Sequence, residues 1–260
     1  MGIYQQTYSI LGSDMDITYH ITPNAILLYF QDCFARFLSS RKLAAFDIVK
    51  QNLLWVISDL EMNFVGERPL WSSDIRVKIR FNEIAAVRIY VDYWVCNDRD
   101  EVFAQGTSTW VLMNSLTRRP VAVKEVLEKG GIEASGEPRI DRSYTLPAEK
   151  ELLKEIEHQV NITDLDFNGH VCNRTYLMIA LGTLSLDFIQ TYSPKHIHIQ
   201  FIREAFFGEI LNCRVYQGEG QSQWYEIVNS KNKNVCRLYA EWEDQWELLS
   251  KDVSDQIQRR

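Results

Sequence analysis

The segment Asp166-Phe167-Asn168-Gly169-His170 sets a carboxylate, an amide and an imidazole at alternate positions, just ahead of a stretch with helical periodicity. An extended backbone points alternate side chains to one side, so the three are expected to share a face. The first N–H groups of the following helix have no partner within it and can bind a developing oxyanion. Together these are the parts that acyl hydrolysis needs. His170 can take a proton from water, Asn168 can donate to the carbonyl oxygen, and Asp166 can orient a group or attack the carbonyl. The same residue types also make an ordinary strand-to-helix cap, so the spacing alone leaves both readings open.

The motif has an earlier copy. Asp14-Met-Asp16-Ile-Thr18-Tyr19-His20-Ile21 lies over Asp164-Leu-Asp166-Phe-Asn168-Gly169-His170-Val171 at a constant offset of 150, and each copy runs into a long apolar helix. Thr18 and Tyr19 remove the amide and put bulk where Gly169 leaves room for substrate. The first copy is therefore expected to be silent, with His20 a structural relic.

The elements that must position these motifs also repeat. Ile26, Leu27, Phe30, Phe34, Phe37 and Leu38 predict a buried helix over Asn24–Lys42, with Pro23 suited to its first turn and Thr22 or Asn24 as its cap. An apolar run predicts a strand at Leu53–Phe64, and alternating runs predict strands at Asp74–Phe81, Val87–Val95 and Val102–Met113, each of these covered on one face. The second round predicts a strand near Glu157–Ile162 and a helix over Val171–Gln190. Strands near His196–Ile202, Ile210–Gln217, Trp224–Asn229 and Val235–Trp242 follow, then a polar tail. Two copies of one unit follow from this: an α+β chain with a first domain over 1–128, a linker over 129–142 and a second domain over 143–260. Each sheet should wrap its helix, and the two sheets can join edge to edge.

Composition excludes several classes. The 260 residues carry 28 Lys+Arg against 35 Asp+Glu, a net charge of −7, which argues against a nucleic-acid partner. No apolar run is long enough for a membrane span. The N-terminus lacks a basic, apolar leader, and Gln6 stands where acylation of Gly2 would want Ser or Thr. Five scattered cysteines without CxxC spacing argue against disulfides or zinc and for a reduced, cytoplasmic setting. His196 and His198 lie two apart on one strand but lack a nearby third ligand, so no metal is expected. Trp242 and Trp246 are expected to close a sheet edge.

Three separate stretches resemble one family. Asp166-Phe-Asn168-Gly-His170-Val-Cys-Asn173-Arg-Thr-Tyr176 resembles the active-site segment of the plant and bacterial acyl-acyl-carrier-protein thioesterases. Trp55-Val-Ile-Ser-Asp-Leu-Glu-Met resembles a strand of their first domain, and Thr107-Ser-Thr-Trp110 through Arg118-Arg119-Pro120 resembles the strand that ends it. The resemblance runs from about residue 5 to 245. It implies a tandem, double hot-dog fold, hydrolysis of the thioester between a fatty acyl chain and its carrier's phosphopantetheine arm, and no cofactor. It places catalytic roles on Asp166, Asn168, His170 and Glu204. Plant members commonly carry a cysteine after that glutamate, but here the residue is Ala205, so a thiol nucleophile at that position is excluded. Cys172 is expected to be core, one turn into the second helix. Attack by water or by Asp166 both stay open, with His170 as base and Glu204 positioning it or the water.

The resemblance also implies that the first half holds the acyl chain, with Phe30, Phe34, Trp55 and Trp110 lining its tunnel. An acidic carrier meeting a chain of net charge −7 needs a local basic surface. Arg118, Arg119, Lys124, Arg139, Arg142 and Arg174 are the candidates, with Arg118, Arg119 and Arg174 foremost. An acyl-coenzyme A thioesterase, a hot-dog hydratase or dehydratase and a non-catalytic acyl-binding protein are the rival readings. Chain length and the choice between monomer and homodimer stay open.

Overall fold

The computed structural model describes residues 3–71, 73–136, 144, 146–148 and 150–244. The expected frayed tail, Trp246, Arg139 and Arg142 lie outside them.

Among the described residues, the strands form one continuous antiparallel sheet. The first half contributes β1 (Tyr4–Ser9), β2 (Leu53–Phe64), β3 (Asp74–Ile84), β4 (Arg88–Cys96), β5 (Val102–Asn114) and the short β6 (Arg119–Pro120). The second contributes β7 (Leu152–Gln159), β8 (Tyr192–Phe201), β9 (Ile210–Gln217), β10 (Ser222–Asn229) and β11 (Asn234–Asp244). The order is β1-β3-β4-β5-β2-β8-β11-β10-β9-β7, with β6 beside β5. Read outward from the centre, the two halves match strand for strand. The seam is the antiparallel β2–β8 pair, where Glu61 faces His198 and Asn63 faces His196. Their side chains also cross it: His198 Nε2 lies 2.9 Å from Asp59 Oδ1 and His196 Nδ1 lies 2.8 Å from Asn63 Oδ1. The two imidazoles thus tie the halves together across the seam.

The first sheet wraps α1 (Pro23–Ser40). The Thr22 hydroxyl accepts the Ala25 N–H at 3.1 Å and Pro23 takes the first turn, so Thr22 is the cap. Its aromatic face packs into the sheet, with Phe34 stacked on Trp110 at 4.4 Å and Phe30 on Tyr93 at 4.3 Å. Gly106 makes that approach feasible, since a Cβ there would come within 2.7 Å of the Phe30 ring. Two short helices complete the first half, α2 (Ala45–Ile48) and α3 (Lys124–Lys129).

The second helix differs from expectation. It splits into α4 (Asn173–Leu181) and α5 (Leu186–Thr191). Gly182 ends the first piece, and the Ser185 hydroxyl starts the second by accepting the Phe188 N–H at 3.2 Å. The expected strand near Glu157–Ile162 lies earlier, as β7, and Ile162–Asp164 forms a single tight turn of helix. Both edge strands, β1 and β7, are mostly polar, which suits an edge and masks the apolar alternation. Trp242 is not at an edge. It stands on the interior strand β11, buried against Phe188. No helix among the described residues is long and apolar enough to cross a membrane.

Candidate active site

The chemistry-bearing residues of the second half come together through a turn, not through strand alternation. Asp166 N donates to His170 O at 2.8 Å and Gly169 N donates back to Asp166 O at 3.0 Å. The Asp166 carboxylate organises the loop from inside. Its Oδ1 accepts the Asn168 N–H at 2.8 Å and the His170 N–H at 3.3 Å, and its Oδ2 accepts from Asn168 Nδ2 at 3.2 Å. Asp and Asn make such side-chain turns readily. Gly169 closes the turn at φ 76°, a left-handed conformation that favours glycine.

Glu204 arrives from the loop between β8 and β9. Its Oε1 lies 3.4 Å from His170 Nδ1, and Phe206 sets its ring edge-on to the imidazole at 5.1 Å. With Nδ1 turned toward Glu204, Nε2 is the atom left to exchange a proton with a substrate or water. The other Glu204 oxygen, Oε2, lies 2.5 Å from Arg118 Nη2. Arg118 belongs to the first half, in the turn between β5 and β6, where it adopts φ 57°. The sequence pointed to it as part of a carrier surface; the fold sets its guanidinium against Glu204, beside His170. Arg119 beside it is exposed and Arg174 in the first turn of α4 is half-buried. Lys124 pairs loosely with Glu128 at 3.9 Å.

The two motif copies share a backbone and differ in access. In the first, the Asp16 carboxylate accepts from Thr18 N and His20 N as Asp166 does in the second, and Tyr19 takes the left-handed position at φ 65°. Thr18 and His20 are buried, whereas Asn168 is exposed and His170 half-exposed. The loops over the two copies also correspond: Ile21 N donates to Pro69 O, and Val171 N to Ala205 O. One residue earlier in each loop stand Arg68 and Glu204. Where Glu204 faces His170, buried Arg68 pairs with Asp16 at 3.0 Å and donates to Ile21 O at 2.7 Å. Burial, and then the Arg68 charge, hold His20 below the ordinary imidazole pKa. Burial would raise the Asp16 carboxyl, but Arg68 and Thr18 outweigh it and keep the group low. Nothing in the sequence of the first copy announced Arg68; only the paired loops reveal it.

Four of the five cysteines are buried. Cys172 is the N-cap of α4 and half-buried, not one turn inside the helix. Burial raises its thiol against the pull of the Arg174 and Asn173 N–H groups. Burial also pushes Cys33 and Cys213 up to about 12 and Cys236 well above its ordinary value.

Phe30, Phe34 and Trp110 are buried in the core of the first half, and Trp55 is half-buried against them. Phe34 touches both tryptophans. The mouth of the site carries aromatic residues that sequence reasoning did not single out. Phe167 and Phe46 are 69% and 75% exposed, and their rings meet at 5.5 Å across the two halves. An apolar residue inside a polar motif, as Phe167 is, was the available signal.

Comparison with known proteins identifies the family of the chain and its fold. The family model described as Acyl-ACP thioesterase N-terminal domain matches residues 2–129, and that of the C-terminal domain matches 148–244. A chloroplastic oleoyl-acyl carrier protein thioesterase of Arabidopsis thaliana is 26% identical over 193 residues, 70% of this chain and 50% of the relative. A chloroplastic acyl-[acyl-carrier-protein] hydrolase of Cuphea viscosissima is 21% identical over 74% of this chain and 49% of its own length. The chain thus spans about half the length of the curated relatives it matches. Among solved structures, the 12:0-ACP thioesterase of Umbellularia californica superposes with a TM-score of 0.82 at 18% identity, over 94% of this chain and 98% of the other. An acyl-ACP thioesterase of Bacteroides thetaiotaomicron gives 0.81 at 17% identity, over 93% and 98%. The fold is therefore the double hot-dog of those structures.

Proposed function

The chain belongs to the acyl-ACP thioesterase family, and from that premise we propose that it hydrolyses the thioester of a fatty acyl chain carried on acyl carrier protein, releasing the free acid. The observation that carries this reading is the cluster of Asp166, Asn168, His170 and Glu204 in an open turn, with Glu204 3.4 Å from the His170 ring. The second half is the catalytic one, and the first supplies the acyl site near Phe30, Phe34, Trp55 and Trp110 together with Arg118. Five free cysteines fit a reducing, cytoplasmic setting.

In the proposed reaction, His170 Nε2 removes a proton from water as the water oxygen attacks the thioester carbonyl carbon. Asn168 donates its remaining amide N–H to the oxyanion. The C–S bond then breaks, and the proton on His170 passes to the departing sulfur. Glu204 holds the ring through Nδ1 and stabilises the imidazolium, while Arg118 holds Glu204. Asp166 supports this assignment by its bonds. Three donors occupy its two oxygens, which suits a scaffold better than a nucleophile. Water attack is therefore favoured over an acyl-Asp166 intermediate. Arg119, next in chain to Arg118, and Arg174, four residues past His170 in the first turn of α4, are the proposed contacts for an acidic carrier.

The test is a hydrolysis panel across acyl lengths, each chain offered on carrier protein and on coenzyme A, with Glu204→Gln in parallel. Preference for the carrier-linked series and loss of turnover in Glu204→Gln are expected. Equal or better turnover of the coenzyme A series would replace the carrier assignment with its nearer rival. Absence of hydrolysis in both series would leave a binding protein.

A further inference from the structure

We propose that the cavity at the first motif copy is a second ligand site, for a single long aliphatic chain ending in a carboxylate. The cavity holds about 710 Å³, within the range of small-molecule pockets. Both halves wall it, with Met15 and Ile17 from the first turn, Met178, Leu181 and Leu184 from the end of α4 and beyond, and Trp242 from β11. Its origin lies in helix length. The α1 helix runs 18 residues where α4 runs 9, so the second half leaves space that the first half fills on the other side. There, the segment after α1 brings Phe46 onto Phe167 instead.

The polar end of the cavity is Arg68 beside Asp16. Arg68 is 7% exposed, and both its hydrogen bonds, to Asp16 and to Ile21 O, leave from Nη1. Among the described residues its Nε and Nη2 have no acceptor. Asp16 accepts from Thr18 N, the Thr18 hydroxyl and His20 N at Oδ1 and from Arg68 at Oδ2. Arg68 thus leaves donor capacity in a planar fork, which matches a carboxylate, while the buried Oδ1 of Asn24 on the same lining leaves one acceptor. The unbranched and branched aliphatic walls, with two methionines, suit a flexible alkyl chain. This inference needs no catalysis and stands apart from the hydrolase reading. It would give the chain a place to sense fatty acid away from the cluster at His170.

Calorimetric titration of the full chain with dodecanoate, paired with Trp242 quenching by a terminally brominated fatty acid, tests it. One saturable site is expected that vanishes when Leu184→Trp fills the cavity and survives Glu204→Gln. Arg68→Gln should weaken dodecanoate by about ten- to a hundredfold, the scale of a charged hydrogen bond, and leave dodecanol unchanged. If that variant fails to fold, wild-type protein decides the head group, and equal affinity for dodecanol and dodecanoate overturns the carboxylate. Binding unaffected by Leu184→Trp, or lost only in Glu204→Gln, overturns the site.

Discussion

Arg118 Nη2 lies 2.5 Å from Glu204 Oε2, so a residue of the first half finishes a cluster otherwise built by the second. The pair is partly exposed, at 47% and 33%, so its direct contribution to stability is small. Its effect should appear in turnover instead. Arg118→Ala is expected to lower kcat about tenfold for carrier-linked and small thioesters alike, while Arg119→Glu raises KM for the carrier-linked substrate alone. A double reversal of both arginines would mix the two effects. Unchanged turnover of a small thioester by Arg118→Ala would remove Arg118 from the site.

His170→Ala should lose about 10²- to 10⁴-fold in rate, as removal of a general base does, with the fold retained. The control is His20, whose burial and hydrogen bond to Thr18 give it a different signature. His20→Ala is expected to lower the Tm and leave kcat near wild type. Kinetics and thermal melts of the two variants side by side decide this; a catalytic loss in His20→Ala would contradict a silent first copy.

Gly169 separates backbone strain from substrate access. A Cβ there meets nothing within 4 Å, and the left-handed φ alone opposes a side chain. That strain costs about 1–2 kcal/mol, and Tyr19 tolerates it at the matching position. Gly169→Ala should therefore show a lowered Tm with kcat mostly kept. Gly169→Tyr, which imports the silent copy's residue, should also block substrate. Equal activity in the two variants would show that Gly169 serves only the turn.

Alkali should weaken the fold before it touches the proposed chemistry. The unfolded chain releases its thiol protons near the ordinary value of 9.0, whereas folded Cys33 and Cys213 hold theirs to about 12. The folded state therefore binds more protons between those values. Its thiol-linked stability is complete below about pH 9 and falls as pH climbs toward 12. Burial raises Tyr8 and Tyr29 too, in the same sense. Melts from pH 7 to 11 should decline above 9, less steeply in Cys213→Ala. At neutral pH, thiol-blocking reagents should spare turnover, and rapid substrate-protected inactivation traced to one cysteine would reinstate a thiol mechanism.

Strong periodicity made the central strands and α1 legible, because one apolar face of each is fully buried. Polar edges hid β1 and blurred β7. The split of the second helix was carried by Gly182 and Ser185, each an ordinary residue until its hydrogen bond is seen. The Asp166–His170 motif was readable as residue types, but not as a turn closed on Asp166. Arg118 and Arg68 were beyond reach for the same reason: local sequence does not say which distant loop a long charged side chain enters.

The loops over the two motif copies carry opposite charges at the same place, arginine at 68 and glutamate at 204. Two identical chains related by symmetry could not do this. Any residue installed to serve one copy would be imposed on the other, and a glutamate at both would bring a second acid beside Asp16. Covalent fusion breaks that identity. Once the copies share one chain, each can drift alone, one toward a rigid, charge-paired anchor and the other toward an open, reactive loop. Arg68→Glu reverses that divergence in a single step, and the loop it disturbs lies against the first copy, not the second.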